Sequence, residues 1–253
     1  MPEVLLDRSD RVAVLTVHDP DRRNALTEAL SRELADAVAA CEADPDVNAL
    51  VVTGAPPAFC AGADLTALGE AREEGLRRIY AGFLAVANCS LPTVAAVGGA
   101  AVGAGLNLAL ACDVRLAGPR ARFDARFLRL GIHPGGGMTW LLERIAGPQT
   151  VAAMVLLGQV LDADAAVRRG LAWDRVDGGH DELVASAVDL LKATAEAPRE
   201  LVRVTKATIR ATSALPAHAP AVEAELGPQA ASTASPEFAA RLAEAKAGLG
   251  KRT

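Results

Sequence analysis

The 253-residue sequence predicts an α/β fold: a largely parallel sheet covered by helices, followed by a helical C-terminal portion. Three observations lead there. Short apolar runs alternate with helix-period segments as far as Ala117, turns of small residues join several of them, and helical periodicity takes over after Gly147.

Arg11 to Val17 alternates into a strand, with Val12, Val14, Leu15 and Val17 as inward positions, and it ends at the polar turn His18 to Asp21. Thr27 then reads as the N-cap of a helix whose buried stripe is Leu30, Leu34, Val38 and Cys41, leaving Glu28, Arg32, Glu33 and Asp36 in water. Asp44-Pro45-Asp46 stops that helix, and Ala49 to Thr53 is a second buried strand running into Gly54-Ala55-Pro56-Pro57. Phe59 to Leu65 is a small-residue turn opening a further helix. From Ala81 to Cys112 there is no charged residue. A membrane-spanning helix needs about 20 apolar residues in one run, and here Pro92 and the Gly98-Gly99 pair interrupt any such helix. The segment reads instead as a buried strand, Thr93 to Val97, a tight turn, and a small-residue helix from Gly103 onward. Val114 to Ala117 is a further strand. Beyond Gly147 the helical stretches are Pro148 to Leu157, Asp162 to Arg169, Asp181 to Ala195, Pro198 to Ala214 and Ser235 to Ala247, with a short strand at Ala172 to Val176. There are no internal repeats.

Composition removes several classes of function. The net charge is −5 and the 26 lysines and arginines are scattered, so no basic face exists for nucleic acid, and 3% aromatic content offers no stacking platform. Cys41, Cys60, Cys89 and Cys112 are far apart and form no Cys-x-x-Cys pair, which argues against a metal site and for reduced thiols in a cytoplasmic protein. The N-terminus carries Glu3, Asp7 and Arg8 and has no apolar core of signal-peptide type, so no export is expected.

Gly103-Ala104-Gly105-Leu106-Asn107-Leu108 lacks the third glycine of a dinucleotide fingerprint, and neither a Walker lysine nor a Gly-x-Ser-x-Gly elbow is present. The turns at Phe59 to Leu65 and Gly98 to Asp113 carry a more specific message. Each leads from a buried strand into a helix, where opening amides have no intrahelical acceptor and small residues admit a ligand close to the backbone. Two such amides converging on one oxygen would form an oxyanion hole.

These turns, together with Arg23-Asn24-Ala25-Leu26, Ala58 to Leu65, Gly99 to Gly105, Cys112-Asp113, Phe123 and Gly131 to Gly137, resemble the crotonase, or enoyl-CoA hydratase/isomerase, superfamily over nearly the whole chain. The resemblance implies a spiral of β-β-α units over residues 1–195 and a helical region over 196–253 that makes the contacts of a homotrimer or a dimer of trimers. It also implies a lyase or isomerase of fatty acid metabolism acting on an acyl-CoA, with no separate cofactor, because coenzyme A is part of the substrate; no membrane or nucleic acid partner is implied. The amides of Ala61 and Ala104 would hold the thioester carbonyl, with Ala104 standing where the family usually has glycine. Arg23, Ala25, Gly62, Ala63, Asp64, Leu65 and Gly103 would meet the substrate, Arg23 at its phosphate end. Asp64 reads equally well as the N-cap of the following helix.

The departures from the family pattern bear on the reaction. The two glutamates that hold the hydratase water are replaced by Asn107 and Phe127, and Gly135 stands where some isomerases and dehalogenases carry a catalytic aspartate. Asparagine can hold a water but cannot take its proton, and phenylalanine can do neither. A positioned acid or base contributes about 10² to 10⁴-fold, so ordinary hydration is expected to be weak. His133 is the remaining candidate acid or base; its alternative is to brace the glycine-rich loop by hydrogen bonding. Met138 and Trp140 pack or line the acyl channel, and His18, His180 and His218 read as surface residues. Two further readings stay open: a non-catalytic acyl-CoA-binding protein, and a thioester decarboxylase or hydrolase on the same fold.

Overall fold

The computed structural model describes residues 1–249, so the last four positions of the 196–253 region lie outside the described residues. The chain divides into a compact unit Met1–Ala195 and a second unit that begins at Glu196.

In the first unit, β1 (Glu3–Ser9) and β2 (Val12–His18) form an antiparallel pair. β1 escapes sequence reading because it is an edge strand in which only Val4 is half-buried, without an alternating pattern. α1 (Glu28–Ala43) leads to β3 (Ala49–Gly54), which lies parallel to β2. Thr27 caps α1, its hydroxyl accepting from the Leu30 N–H at 3.1 Å, and the buried stripe is Leu30, Leu34, Val38 and Cys41 as expected, with Ser31 added. α2 (Leu65–Glu70) and α3 (Glu73–Asn88) follow, then β4 (Thr93–Val97), parallel to β3. β5 (Ala100–Val102), α4 (Ala104–Ala111), β6 (Val114–Ala117) and β7 (Arg122–Asp124) come next. β6 pairs with β4 and β7 with β5, so successive passes of the chain lay one strand in a larger sheet and the next in a smaller one. This is the spiral of β-β-α units that the sequence implied.

α5 (Met138–Val155), β8 (Leu161–Asp162), α6 (Ala163–Arg168), β9 (Asp174–Arg175) and α7 (His180–Leu190) complete the first unit, apart from α8 (Lys192–Glu196) at its end. The larger sheet has six strands in the order β1-β2-β3-β4-β6-β9, and the smaller has three, β5-β7-β8. Residues alternate across the larger sheet, Leu50 and Val52 packing on one side against α1, Ala49 and Val51 on the other against Leu183 and Ala187 of α7. Each fully buried leucine contributes about 1.5 to 3 kcal/mol of apolar burial.

Three expectations are revised. The helix expected from Pro148 begins at Met138, before a break at Gly147 (φ 80°), because the preceding glycines masked its start. The single helix expected over Asp181 to Ala195 breaks at Leu191, whose N–H turns back to the Val188 carbonyl at 3.0 Å. The strand expected over Ala172 to Val176 shortens to β9.

The second unit contains α9 (Arg199–Thr212), α10 (His218–Thr233) and α11 (Pro236–Leu249). α10 falls in a stretch where no helix was expected; Pro220 lies in the first turn, where a missing N–H costs nothing, and the helix continues through Pro228. Among the described residues, no helix is long and apolar enough to cross a membrane, and no group of three or more His, Cys, Asp or Glu side chains is placed to hold a metal. All four cysteines are buried.

Candidate active site

The two small-residue turns meet edge to edge. The N–H groups of Phe59 and Cys60 both donate to the Ala100 carbonyl, at 3.1 and 3.0 Å, and the Val102 N–H donates to the Cys60 carbonyl at 3.0 Å. Gly105 makes this approach possible, because a Cβ there would lie 2.0 Å from the Cys60 oxygen. On its other side the turn is bridged by Leu26, whose N–H donates to the Gly62 carbonyl (2.7 Å) and whose carbonyl accepts from the Asp64 N–H (2.9 Å). Leu26 pairs with the groups on either side of Ala63, so the Ala63 N–H is turned away from Leu26, and Ala63 lines the cavity. Ala104 opens α4 behind Gly103 (φ 51°), and its N–H is among the helical amides with no intrahelical acceptor. Gly62 draws the two turns together: at φ 112°, a Cβ on it would lie 4.0 Å from the Ala104 nitrogen.

This geometry corrects one expected donor. The Ala61 N–H is donated to the Arg23 carbonyl at 3.0 Å, so it fastens the neighbouring turn and is not available to a ligand. That turn is held further by the fully buried Asn24, whose Oδ1 accepts from the Asp19 N–H (2.9 Å) and whose Nδ2 donates to the carbonyls of Ala55 and Ala58 (2.7 and 2.8 Å). Asp64 caps α2, its Oδ1 accepting from the Thr66 and Ala67 N–H groups at 3.1 and 3.0 Å. Arg23, Ala25 and Asp64 do not line the cavity; Arg23 is exposed and Ala25 is buried.

The cavity has a volume of about 470 Å³. Of the expected residues it brings together Ala61, Gly62, Ala63, Leu65, Gly103 and Ala104 with Asn107, Phe127 and His133. Asn107 is buried, and its Nδ2 donates to the Gly135 carbonyl at 3.0 Å, which fixes the orientation of the amide; its buried Oδ1 has no hydrogen-bond partner. Phe127 is half-buried and packs against the main core. His133 sits exposed at the rim with Nδ1 2.7 Å from the Pro134 carbonyl, a contact that places the ring proton on Nδ1 and leaves Nε2 as the basic atom of the neutral ring. None of the described residues lining the cavity is an aspartate or a glutamate. Asp124 lies nearby but is buried and bound to Arg126, with nitrogen–oxygen distances of 2.9 and 2.8 Å.

A family model described as enoyl-CoA hydratase/isomerase matches residues 7–241. The chain belongs to the enoyl-CoA hydratase/isomerase family. It is 56% identical over 252 residues to a Mycobacterium tuberculosis protein named "Probable enoyl-CoA hydratase EchA14", covering 96% of this chain and 97% of that one. It is 35% identical over 200 residues to the 1,2-epoxyphenylacetyl-CoA isomerase of Escherichia coli K12, covering 76% and 75%. Among solved structures, enoyl-CoA hydratase from Bacillus anthracis superposes with a TM-score of 0.88 at 25% identity, over 98% of this chain and 96% of that one.

Within this enoyl-CoA hydratase/isomerase family member, sequence reading missed the apolar side of the cavity, made by Leu68, Leu76, Ile79 and Leu130, and the polar residue Tyr80; Val102 and Arg126 line it as well. Ile79 and Phe83 do stand out as a buried stripe on α3, but nothing local marks the half-buried Tyr80 beside them. Met138 is buried in the core and Trp140 is exposed, with the Arg144 guanidinium 3.9 Å over its ring; neither lines the cavity.

Proposed function

We propose that the protein binds an acyl-CoA thioester and stabilises its enolate between the N–H groups of Ala63 and Ala104, with little ordinary hydration activity. The observation that carries this reading is the meeting of Ala63 and Ala104, from two joined turns, in a cavity whose lining is free of carboxylates among the described residues. As a proton leaves the α-carbon, or as an enolate forms by addition, its electron pair moves onto the thioester oxygen, where one fixed donor is worth about 2.7 to 4 kcal/mol. Asn107 cannot exchange a proton and Phe127 offers no polar atom, so neither can activate water. His133 takes the acid–base step through Nε2. Its replacement, His133→Ala, is expected to lower kcat by about 10²-fold or more while leaving acyl-CoA affinity unchanged; an unchanged kcat would make it a loop-bracing residue.

The direct test follows loss of conjugated thioester absorbance with crotonyl-CoA. Efficient enzymes reach a kcat/KM of about 10⁴ to 10⁸ M⁻¹s⁻¹, and a value in the upper part of that range would refute the reading. The lack of carboxylates also favours a second reaction, thioester decarboxylation, in which loss of CO₂ creates the enolate without a base; CO₂ release from malonyl-CoA would support it. Acyl-CoA binding by calorimetry with no product from any thioester by mass spectrometry would leave a non-catalytic carrier. The proposal includes a cytoplasmic protein without a separate cofactor, assembled as a homotrimer or dimer of trimers through residues 196–253, and a monomeric mass by light scattering would contradict that assembly.

A further inference from the structure

Tyr80 is the single tyrosine of the chain. It stands on α3, lines the same cavity as Ala63, Ala104 and Asn107, and packs its ring against Phe83 with centroids 5.2 Å apart. Its hydroxyl lies against the main chain of Gly135, where a Cβ would be 2.2 Å from the hydroxyl oxygen and 3.2 Å from the ring carbon bearing it. Gly135 is also the residue whose carbonyl accepts from Asn107. The hydroxyl therefore fills the space in which any side chain at position 135 would begin, next to Asn107.

One buried polar atom in this part of the cavity is unsatisfied, the Oδ1 of Asn107, and among the described residues the hydroxyl of the half-buried Tyr80 has no hydrogen-bond partner either. The surrounding wall is apolar, formed by Leu76, Ile79 and Phe127 among others. A plain hydrocarbon chain laid here would cover both atoms without pairing either, and an unpaired buried polar group costs more than a hydrogen bond gains. Asn107 follows Ala104 by three residues, about 4.5 Å along the helix axis, a reach that suits an oxygen on the β-carbon when the thioester carbonyl sits on the Ala104 amide. We propose that the Tyr80 hydroxyl donates a hydrogen bond to an oxygen on the β-carbon of the acyl chain, making the site selective for β-oxygenated acyl-CoA thioesters over their plain counterparts. Burial raises the Tyr80 pKa above its ordinary value, so the phenol keeps its proton and acts as a donor. The proposal rests on the acyl-CoA reading of the cavity.

Calorimetric titration of the full chain and of Tyr80→Phe with acetoacetyl-CoA and butyryl-CoA tests it, because the shared coenzyme and thioester cancel in the ratio of the two affinities. The wild-type chain is expected to bind acetoacetyl-CoA about tenfold or more tightly than butyryl-CoA, and Tyr80→Phe to bring the ratio near one by weakening acetoacetyl-CoA alone. A structural role would shift both affinities together. The proposal is overturned if the variant keeps the wild-type ratio, or if the wild-type ratio is one or less while both thioesters bind. Failure of both thioesters to bind overturns the acyl-CoA reading itself, and the proposal with it. A second measurement uses the wild-type chain alone: its one tyrosine, labelled with ¹³C at Cζ, gives a single resonance that must move when acetoacetyl-CoA saturates the protein, and an unmoved resonance sinks the idea.

Discussion

One wall of the cavity is main chain and the other is side chain. The Ala63 and Ala104 amides are held by the bonds of their neighbours, Gly62 and Asp64 to Leu26, Val102 and Phe59 to the facing turn, and not by anything their own methyl groups do. Tyr80, Asn107, Phe127 and His133, by contrast, line the cavity with side chains that one substitution changes. Under the proposed function, stabilisation of a carbonyl oxygen can thus persist through wide changes in residue type, whereas the fate of the proton is rewritten one side chain at a time. Asn107 and Phe127 lie on the wall that is easily rewritten.

The comparison can be broken most severely at the seam of the backbone wall. Gly105→Ala would drive a methyl group to 2.0 Å from the Cys60 carbonyl, a main-chain atom that no rotamer change can move. The expected cost is at least about 3 kcal/mol, the upper end for overpacked cores, seen as a large fall in the urea midpoint or as insoluble protein. On the side-chain wall the matching insertion is milder and reversible. Gly135→Ala should cost about 1 to 3 kcal/mol against the Tyr80 hydroxyl, and most of that should disappear in the Tyr80→Phe background, where the nearest ring atom is 3.2 Å away. Additive losses in the double variant would refute the packing described. Ala104→Gly tests the claim that the backbone wall ignores side chains: less than about 1 kcal/mol of stability should be lost, with acyl-CoA affinity within about twofold of wild type. The smallest effect is in pH. The folded-state pKa of Tyr80 is raised by burial, so the native protein holds this proton more tightly than the unfolded chain. Stability from this group is intact below the ordinary tyrosine pKa near 10 and declines as pH rises through the folded value. Absorbance titration of the single phenolate should accordingly give a midpoint above 10, shifting down on unfolding in urea.

The same division explains what could be read from the sequence. Thr27 and the Leu30, Leu34, Val38 and Cys41 stripe are local patterns, and they appear as expected. The two turns were legible as a pair because glycine and alanine runs between apolar strands admit few other readings. Which amide of the first turn faces the cavity was not legible, because Ala61 is claimed by the Arg23 carbonyl, a partner distant in sequence, and only the Leu26 bridge turns Ala63 outward. Tyr80 was invisible for a related reason: its significance arises from Gly135, on a segment far along the chain, and the missing side chain there leaves no positive mark. α10 and β1 were hidden by prolines inside a helix and by an edge strand without alternation.

The exclusion between positions 80 and 135 places an order on sequence change at this site. A lineage that acquired an aspartate at 135 while keeping Tyr80 would pass through a clashing intermediate, whereas loss of the phenol first leaves room for the later arrival. The two positions behave as alternative tenants of one small volume, so drift at either is conditional on the other, and paths between reaction types across this wall have a preferred direction.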